Sequence, residues 1–130
     1  MASKKPGKII IPVGMKPRPR QHEIDVAELL AKYFRVDVEF IPTTSRNSPD
    51  FLIDGTLWEL KSPQGNGKNN IQRQLKYAWH QSPNVILDAS RSKMHAARIK
   101  REVEYQFGII KSVKRLLFVA KDKEVIEIFR

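Results

Sequence analysis

The 130-residue sequence contains no cysteine, which excludes disulfides, zinc–cysteine sites and thiol nucleophiles and leaves the redox compartment open. It has no apolar run near the ~18 residues that cross a bilayer, and its basic start lacks the apolar stretch of a signal peptide. A soluble chain is therefore expected. No internal repeat is apparent. Acidic residues are also scarce: 14 Asp+Glu stand against 24 Lys+Arg, a formal charge of +10 with a sequence pI near 10.0. Such a deficit favours a polyanionic partner, nucleic acid first. The apolar fraction of 41% is ordinary for a globular protein, so the charge does not preclude a packed core. One domain is expected at this length.

The few carboxylates are unevenly placed. Residues 1–20 hold six basic and no acidic residues, and residues 91–115 hold eight basic and two acidic, whereas residues 21–61 hold eight of the 14 carboxylates. Most of these acids are expected on solvated faces. The alternative is a set of metal-ligating carboxylates inside a basic binding surface.

Residues 1–20, with Pro6, Pro12, Pro17 and Pro19 among lysines and arginines, read as an extended basic arm around Ile9-Ile10-Ile11, and residues 21–130 as the folded domain. Helical spacing of apolar residues predicts an amphipathic helix from Gln21 to Phe34. Residues 36–41 alternate as a half-buried strand, with Val36, Val38 and Phe40 on one face. After a polar loop from Pro42 to Ser48, Pro49–Ile53 and Leu57–Lys61 read as strands joined by Asp54-Gly55, a strong hairpin signal. The polar loop Ser62–Asn70 leads to a helix from Ile71 to about Gln81, a strand at Asn84–Leu87, and a third helix capped by Ser92 and stopped by Gly108. Its buried stripe is expected to be Ala96, Ile99, Val103 and Phe107, leaving Lys93, Arg98, Lys100 and Arg101 for other faces. Strands at Arg115–Ala120 and Glu124–Phe129 complete a mixed α/β sheet flanked by helices.

Pro49-Asp50 on one arm of the hairpin and Glu59-Leu60-Lys61 on the other form the most informative pattern. An acidic-x-Lys tripeptide means little alone, since composition predicts roughly 1.5 of them in this chain. Placement adds the weight: Glu59 and Lys61, two apart on a strand, share a face, and the turn returns Asp50 beside them. Mg²⁺ wants about six oxygens and takes one or two from carboxylates. Asp50 and Glu59 meet that need, with the Leu60 carbonyl as a third protein oxygen. Lys61 can orient an attacking water or offset charge developing on phosphorus. The alternative is a solvated strand face with a surface ion pair.

Glu23 lies within the apolar face of the first helix: taking it as the origin, Ala27, Phe34 and Leu30 fall at about 40°, 20° and 340°. A carboxylate aimed at a core must be paired or metal-bound, or else escape at the helix start toward the favourable dipole. In the second helix Asn70, Gln74 and Gln81 border the buried face and can hold phosphates or waters around the site. Helix-boundary polarity explains them equally. Lys68, Arg98 and Arg101 are the basic residues assigned to substrate. His22, His80 and His95 have no ligand-like spacing, and Trp58, Trp79 and Tyr77 are expected in the core rather than as base-stacking platforms.

These residues resemble the PD-(D/E)xK nuclease superfamily: a helix carrying Glu23, a hairpin carrying Pro49-Asp50 and Glu59-Leu60-Lys61, then a helix and a strand. The segment SPDFLIDGTLWELKSPQGNGKNNIQRQLKYAWHQSPNVILD is similar to CdiA C-terminal tRNase toxin domains of contact-dependent growth inhibition. There the strand pair runs into a Lys-Ser-Pro loop, an Asn, an amphipathic helix and a strand ending in Asp. The resemblance implies that Asp50, Glu59 and Lys61 form the catalytic core, with Glu23 an auxiliary acid, Mg²⁺ or Mn²⁺ as cofactor, and cleavage of a phosphodiester, in tRNA first. It also implies action in the cytoplasm, no membrane partner, delivery between cells, and a cognate immunity protein, acidic to match this surface. The 130 residues include no large delivery region, so an isolated toxin domain or a stand-alone relative is expected.

Three alternatives remain open from the sequence: a DNA endonuclease of the same superfamily, a basic nucleic-acid-binding module without catalysis, and a metal-independent RNase with His22 or His95 as base.

Overall fold

The computed structural model describes residues 5–43 and 48–130; part of the expected Pro42–Ser48 loop lies outside them. Among the described residues the chain runs β1 (Ile9–Ile10), α1 (Gln21–Phe34), β2 (Val38–Phe40), β3 (Phe51–Ile53), β4 (Thr56–Lys61), α2 (Asn70–Ala78), β5 (Asn84–Asp88), α3 (Ala96–Ile109), β6 (Arg115–Val119) and β7 (Val125–Ile128). The strands form one mixed sheet in chain order. β1 and β2 are parallel, β2–β3–β4 antiparallel, β4–β5–β6 parallel, and β7 returns antiparallel to β6. Parallel neighbours need crossovers: α2 joins β4 to β5 and α3 joins β5 to β6. This is the mixed α/β single domain expected from the sequence.

Strand alternation divides the core in two. Trp58 and Leu60 of β4, Ile86 of β5 and Leu117 of β6 pack under α1, against Val26, Ala27 and Leu30. Val85 and Leu87, with Leu116 and Phe118, face the other way, against Ile71 and Leu75 of α2 and Ile99, Val103 and Phe107 of α3. The side chains of β4 that alternate with Trp58 and Leu60, namely Glu59 and Lys61, therefore leave the sheet on the α2 side. The β3–β4 hairpin turns at Asp54 and Gly55, whose positive φ values of 50° and 78° are those of a two-residue primed turn.

The basic N-terminal segment is not a loose arm. Gly7 donates its N–H to the Ala31 carbonyl (3.0 Å), Val38 donates to the Lys8 carbonyl (2.9 Å), and Lys8 N–H donates to Asp37 Oδ1 (2.8 Å). Ile9 and Ile10 thereby add an edge strand that sequence periodicity did not indicate. Only glycine fits at position 7, where a Cβ atom would lie 1.8 Å from the Val36 carbonyl oxygen.

Several boundaries move. The second helix ends at Ala78 rather than Gln81. The third starts at Ala96, capped by His95 instead of Ser92, and runs through Gly108 to Ile109. Ser92 is occupied: its Oγ accepts from Met94 N–H (3.0 Å) and reaches the Gly65 carbonyl (3.4 Å), tying two loops together. Ala96 is exposed, not part of the buried stripe.

The far end of α3 is closed by Arg130. Its guanidinium donates to the carbonyls of Phe107 (2.9 Å), Ile110 (2.8 Å) and Val113, and lies 4.0 Å from the Phe107 ring centroid. Helix carbonyls left without partners are costly. Arg130→Ala is expected to cost about 1–2 kcal/mol, read as a lower melting temperature with unchanged oligonucleotide binding.

Candidate active site

The site originates in a change of partner along β4. Thr56 to Trp58 pair with β3, whereas Glu59 to Lys61 pair with β5. β3 stops where Pro49, which has no N–H to donate, cannot extend the ladder. Asp50 N–H still donates to the Trp58 carbonyl (3.0 Å). One step on, the strand neighbour is gone, and the Leu60 N–H is accepted by the Asp50 carboxylate, Oδ2, at 2.8 Å. A residue's N–H and C=O point to the same side of a strand, so the Leu60 carbonyl faces the same gap as Asp50.

Glu59 completes the gap. It is 3% exposed, which removes the solvated-face alternative for this residue. Lys61 Nζ stands 3.3 Å from its Oε2, while Oε1 is buried with no N–H or hydroxyl donor reaching it. Burial pushes the Glu59 carboxyl up to about 9, and the hydrogen bond and charge of Asp50 push the same way; Lys61 opposes them. With Glu59 ionised, two carboxylates would meet around one ammonium, one positive charge short; without a cation the carboxyl keeps its proton instead. A hard divalent cation fits this shortage: Asp50, Glu59 and the Leu60 carbonyl supply oxygen donors of the kind Mg²⁺ and Mn²⁺ accept, and the Oε1 that no N–H or hydroxyl reaches is a ready donor.

Gln81 supports the carboxylate from the α2 side. With its amide turned to satisfy both neighbours, its Nε2 donates to Glu59 Oε2 (3.3 Å) and to the Tyr77 carbonyl (2.9 Å). The helical wheel marked Gln81 as part of a polar ridge, but its reach to Glu59 depends on α2 ending at Ala78, which no local pattern announced.

Glu23 occupies a different place from the pair. Its Oε1 accepts the N–H of Arg20, the N-cap of α1, at 2.7 Å, as a residue at the third helical position does in a capping box. It lines, together with Asp50, a cleft of about 230 Å³ to which Met15, Pro17, Arg18, Pro19 and Arg20 also contribute. Among the described residues no three acidic or histidine side chains are grouped to hold one ion. The structure therefore brings together Asp50, Glu59 and Lys61, with Glu23 beside the cleft and engaged by the backbone.

Among the described residues, the other assigned residues make no hydrogen bond or ion pair to Asp50, Glu59 or Lys61. Asn70 opens α2, half-buried, with its Oδ1 unpartnered; Gln74 is half-buried and Lys68 exposed in the preceding loop. Arg98 is half-buried and Arg101 exposed on α3, and no contact links either to Asp50 or Glu59. Trp58 is in the core at 1% exposure, but Tyr77 and Trp79 are not, at 63% and 38%. Tyr77 lies about 240° from Ile71 around α2, away from the buried face, and Trp79 follows the helix end and stacks on His80. His22 lines a separate cavity of about 90 Å³ with Asp88 and Arg91, where burial first and then Arg91 lower its pKa from 6.5. Asp88, fully buried, accepts from Ser62 Oγ (2.8 Å) and Ser90 N–H (3.0 Å). It ties the residue after Lys61 to the end of β5, a role the sequence marked only as a strand ending in Asp.

The family model for the contact-dependent growth inhibition CdiA C-terminal domain matches residues 46–125, a span that includes Asp50, Glu59, Lys61 and Gln81. Among solved structures, the chain is similar to one in the CdiA-CT/CdiI toxin and immunity complex from Burkholderia pseudomallei. The TM-score is 0.59 at 17% identity, over 95% of this chain and 100% of that one. At that identity the likeness is one of fold. No curated protein sequence matches.

Proposed function

Because the chain belongs to the family of contact-dependent growth inhibition CdiA C-terminal domains, we propose that it is a toxin domain of the PD-(D/E)xK type, a metal-dependent endonuclease with tRNA first among its substrates. The observation that carries this reading is the gap beside β4, where Asp50, buried Glu59 and Lys61 converge. A purely structural ion pair does not require a second carboxylate beside a buried one, an arrangement that is costly without a cation.

Asp50, Glu59 and the Leu60 carbonyl are the groups that would hold the ion. When bound, Mg²⁺ supplies Lewis-acid polarisation of a phosphoryl oxygen and a water of lowered pKa. Lys61, 21% exposed at its side chain, reaches from the buried carboxylate toward solvent, where it can orient the attacking water and offset charge on the phosphorane-like transition state. Asp50 also fixes the Leu60 peptide, and Gln81 fixes the Glu59 carboxyl. The net charge of +10 draws a polyanion to the surface.

Incubation with tRNA and with duplex DNA, each with Mg²⁺ or EDTA, tests the proposal. Metal-dependent cleavage of tRNA is expected; cleavage of DNA alone moves the protein to the DNA-cutting branch, and salt-sensitive binding with no cleavage of either leaves a binding module. The toxin reading adds an acidic immunity partner and action in the cytoplasm of a recipient cell. Co-expression of a protective neighbouring gene tests that part, and its failure in every toxicity assay counts against it.

Gln81→Ala is expected to weaken Mn²⁺ binding by about 10–100-fold, the usual effect of removing the hydrogen-bond support of a metal ligand. Calorimetric titration reads this without any turnover. Unchanged affinity excludes the support role.

A further inference from the structure

We propose that the cleft between residues 15–20 and Asp50 is a subsite for one unpaired nucleotide of the strand being cut, with Arg18 and Arg20 holding its phosphate and Met15 and Ile41 receiving its sugar or base. The proposal rests on the nuclease reading for its adjacency to chemistry, but its binding chemistry stands on the cleft itself.

Residues 15–20 form one wall of the cleft, whose lining carries both signs of charge: Arg18 and Arg20 with Glu23 and Asp50. Arg18 and Arg20 come from the N-terminal segment, Asp50 from the residue before β3 and Glu23 from the first turn of α1. An anion entering beside Asp50 and Glu23 meets repulsion unless cationic groups flank the path. The two guanidiniums supply that flank, and a guanidinium binds phosphate with two parallel hydrogen bonds. Arg18 is exposed and has no carboxylate partner among the described residues, so its charge is free for a ligand.

The wall is anchored at both ends. Gly7 and Lys8 bind it to α1 and β2, and at the other end Glu23 holds the Arg20 N–H. Pro17 and Pro19, with φ fixed by their rings, stiffen the span between. The arginines are thus presented by a tethered strap rather than a tail. Met15 and Ile41 are half-buried, giving the cleft an apolar side next to its charged one. At about 230 Å³ it falls below the ~300–1,000 Å³ of sites for drug-sized ligands, a size that suits a single nucleotide unit. Unpaired bases are also the part of an RNA that side chains can reach.

The test uses the full chain in EDTA, so that binding is read without cleavage. Fluorescence anisotropy follows a ten-nucleotide single-stranded RNA, its DNA equivalent and the corresponding duplex, across a salt series. Arg18→Ala is expected to weaken single-strand binding about tenfold and to reduce the salt slope by about one. Arg18→Lys, which keeps charge and loses the two-pronged geometry, should recover part of the affinity. Lys111→Ala, an equal loss of charge at the end of α3, should change binding less than twofold, as should Arg18→Ala with the duplex. Melting temperatures should match the parent because Arg18 is exposed.

Equal weakening by Arg18→Ala and Lys111→Ala overturns the subsite, as does an equal loss on duplex and single strand, or no binding by the parent. Absence of Mg²⁺-dependent cleavage alongside Arg18-dependent single-strand binding sinks the nuclease reading and leaves the subsite standing. The RNA and DNA arms show whether the 2′-hydroxyl contributes.

Discussion

Glu59→Gln is expected to abolish cleavage and to make the protein more stable in the absence of metal. Loss of the carboxylate removes a proposed ion ligand outright, so the fall in rate should exceed the roughly 100-fold ceiling seen when only the support of a ligand is lost. Stability should move the other way. Glu59 is 3% exposed and its carboxyl is pushed up to about 9 by burial and Asp50, so at pH 8 the folded chain must either take up a proton or bury a charge. Gln has neither cost. Its amide can donate to Asp50 as the protonated acid does, and it keeps the same volume. A gain of ~1–2 kcal/mol, or several degrees in melting temperature for a domain of this size, is expected at pH 8 in EDTA. Asp50→Ala provides the contrast. It too should lose cleavage, but it strips the Leu60 N–H of its acceptor and should lower stability by about 1–3 kcal/mol. If Glu59→Gln cleaves as the parent does, the proposed site is wrong; if it melts lower at pH 8, the strain assigned to Glu59 is absent.

How much of this could be read before the structure depends on whether the determining contacts are local. The first helix was expected at Gln21–Phe34 and is found there, because its apolar periodicity is long and unbroken. The hairpin was legible from two residues, Asp54 and Gly55, whose backbone preference decides the turn by itself. Asp50, Glu59 and Lys61 followed from that hairpin and the two-residue period of a strand. β1 was not legible: a two-residue strand has no period, and its placement depends on Gly7 fitting against Val36 across the fold. A serine before a helix and a serine binding the N–H two residues on look alike in sequence, so the sequence predicts a cap at Ser92 where the structure has a loop contact to Met94. Glu23 shows the limit most clearly. The wheel correctly set it off the polar face, yet the group that meets its carboxyl oxygen is the backbone of Arg20, three residues away, and no wheel displays a backbone N–H. The Gln81–Glu59 hydrogen bond is out of reach for a different reason: it joins residues far apart in the chain, at a gap that exists only because β4 changes partners.

The same gap makes metal binding depend steeply on pH. With its carboxyl held at about 9 against an ordinary value of 4.5, Glu59 keeps its proton throughout the neutral range when no cation is present. An ion that uses this carboxylate must expel that proton, so each unit of pH below about 9 costs close to a factor of ten in apparent affinity. Mg²⁺ or Mn²⁺ is therefore expected to bind roughly 100-fold more tightly at pH 8 than at pH 6, with about one proton released per ion, measurable by titration calorimetry in buffers of different ionisation enthalpy. Stability has the opposite sign. The folded state binds more protons than the unfolded state between pH 4.5 and about 9, so in EDTA the contribution of Glu59 is fully present below pH 4.5 and is lost as pH rises through about 9. Saturating Mg²⁺ should offset that decline, because it binds the deprotonated folded form. In Glu59→Gln both trends should vanish together: no decline with pH attributable to this group, and no pH-linked proton release on adding metal. A parent protein whose metal affinity is flat from pH 6 to pH 8 would mean that Glu59 is already ionised or is not a ligand. A Glu59→Gln protein that still releases a proton would assign the linkage to another group.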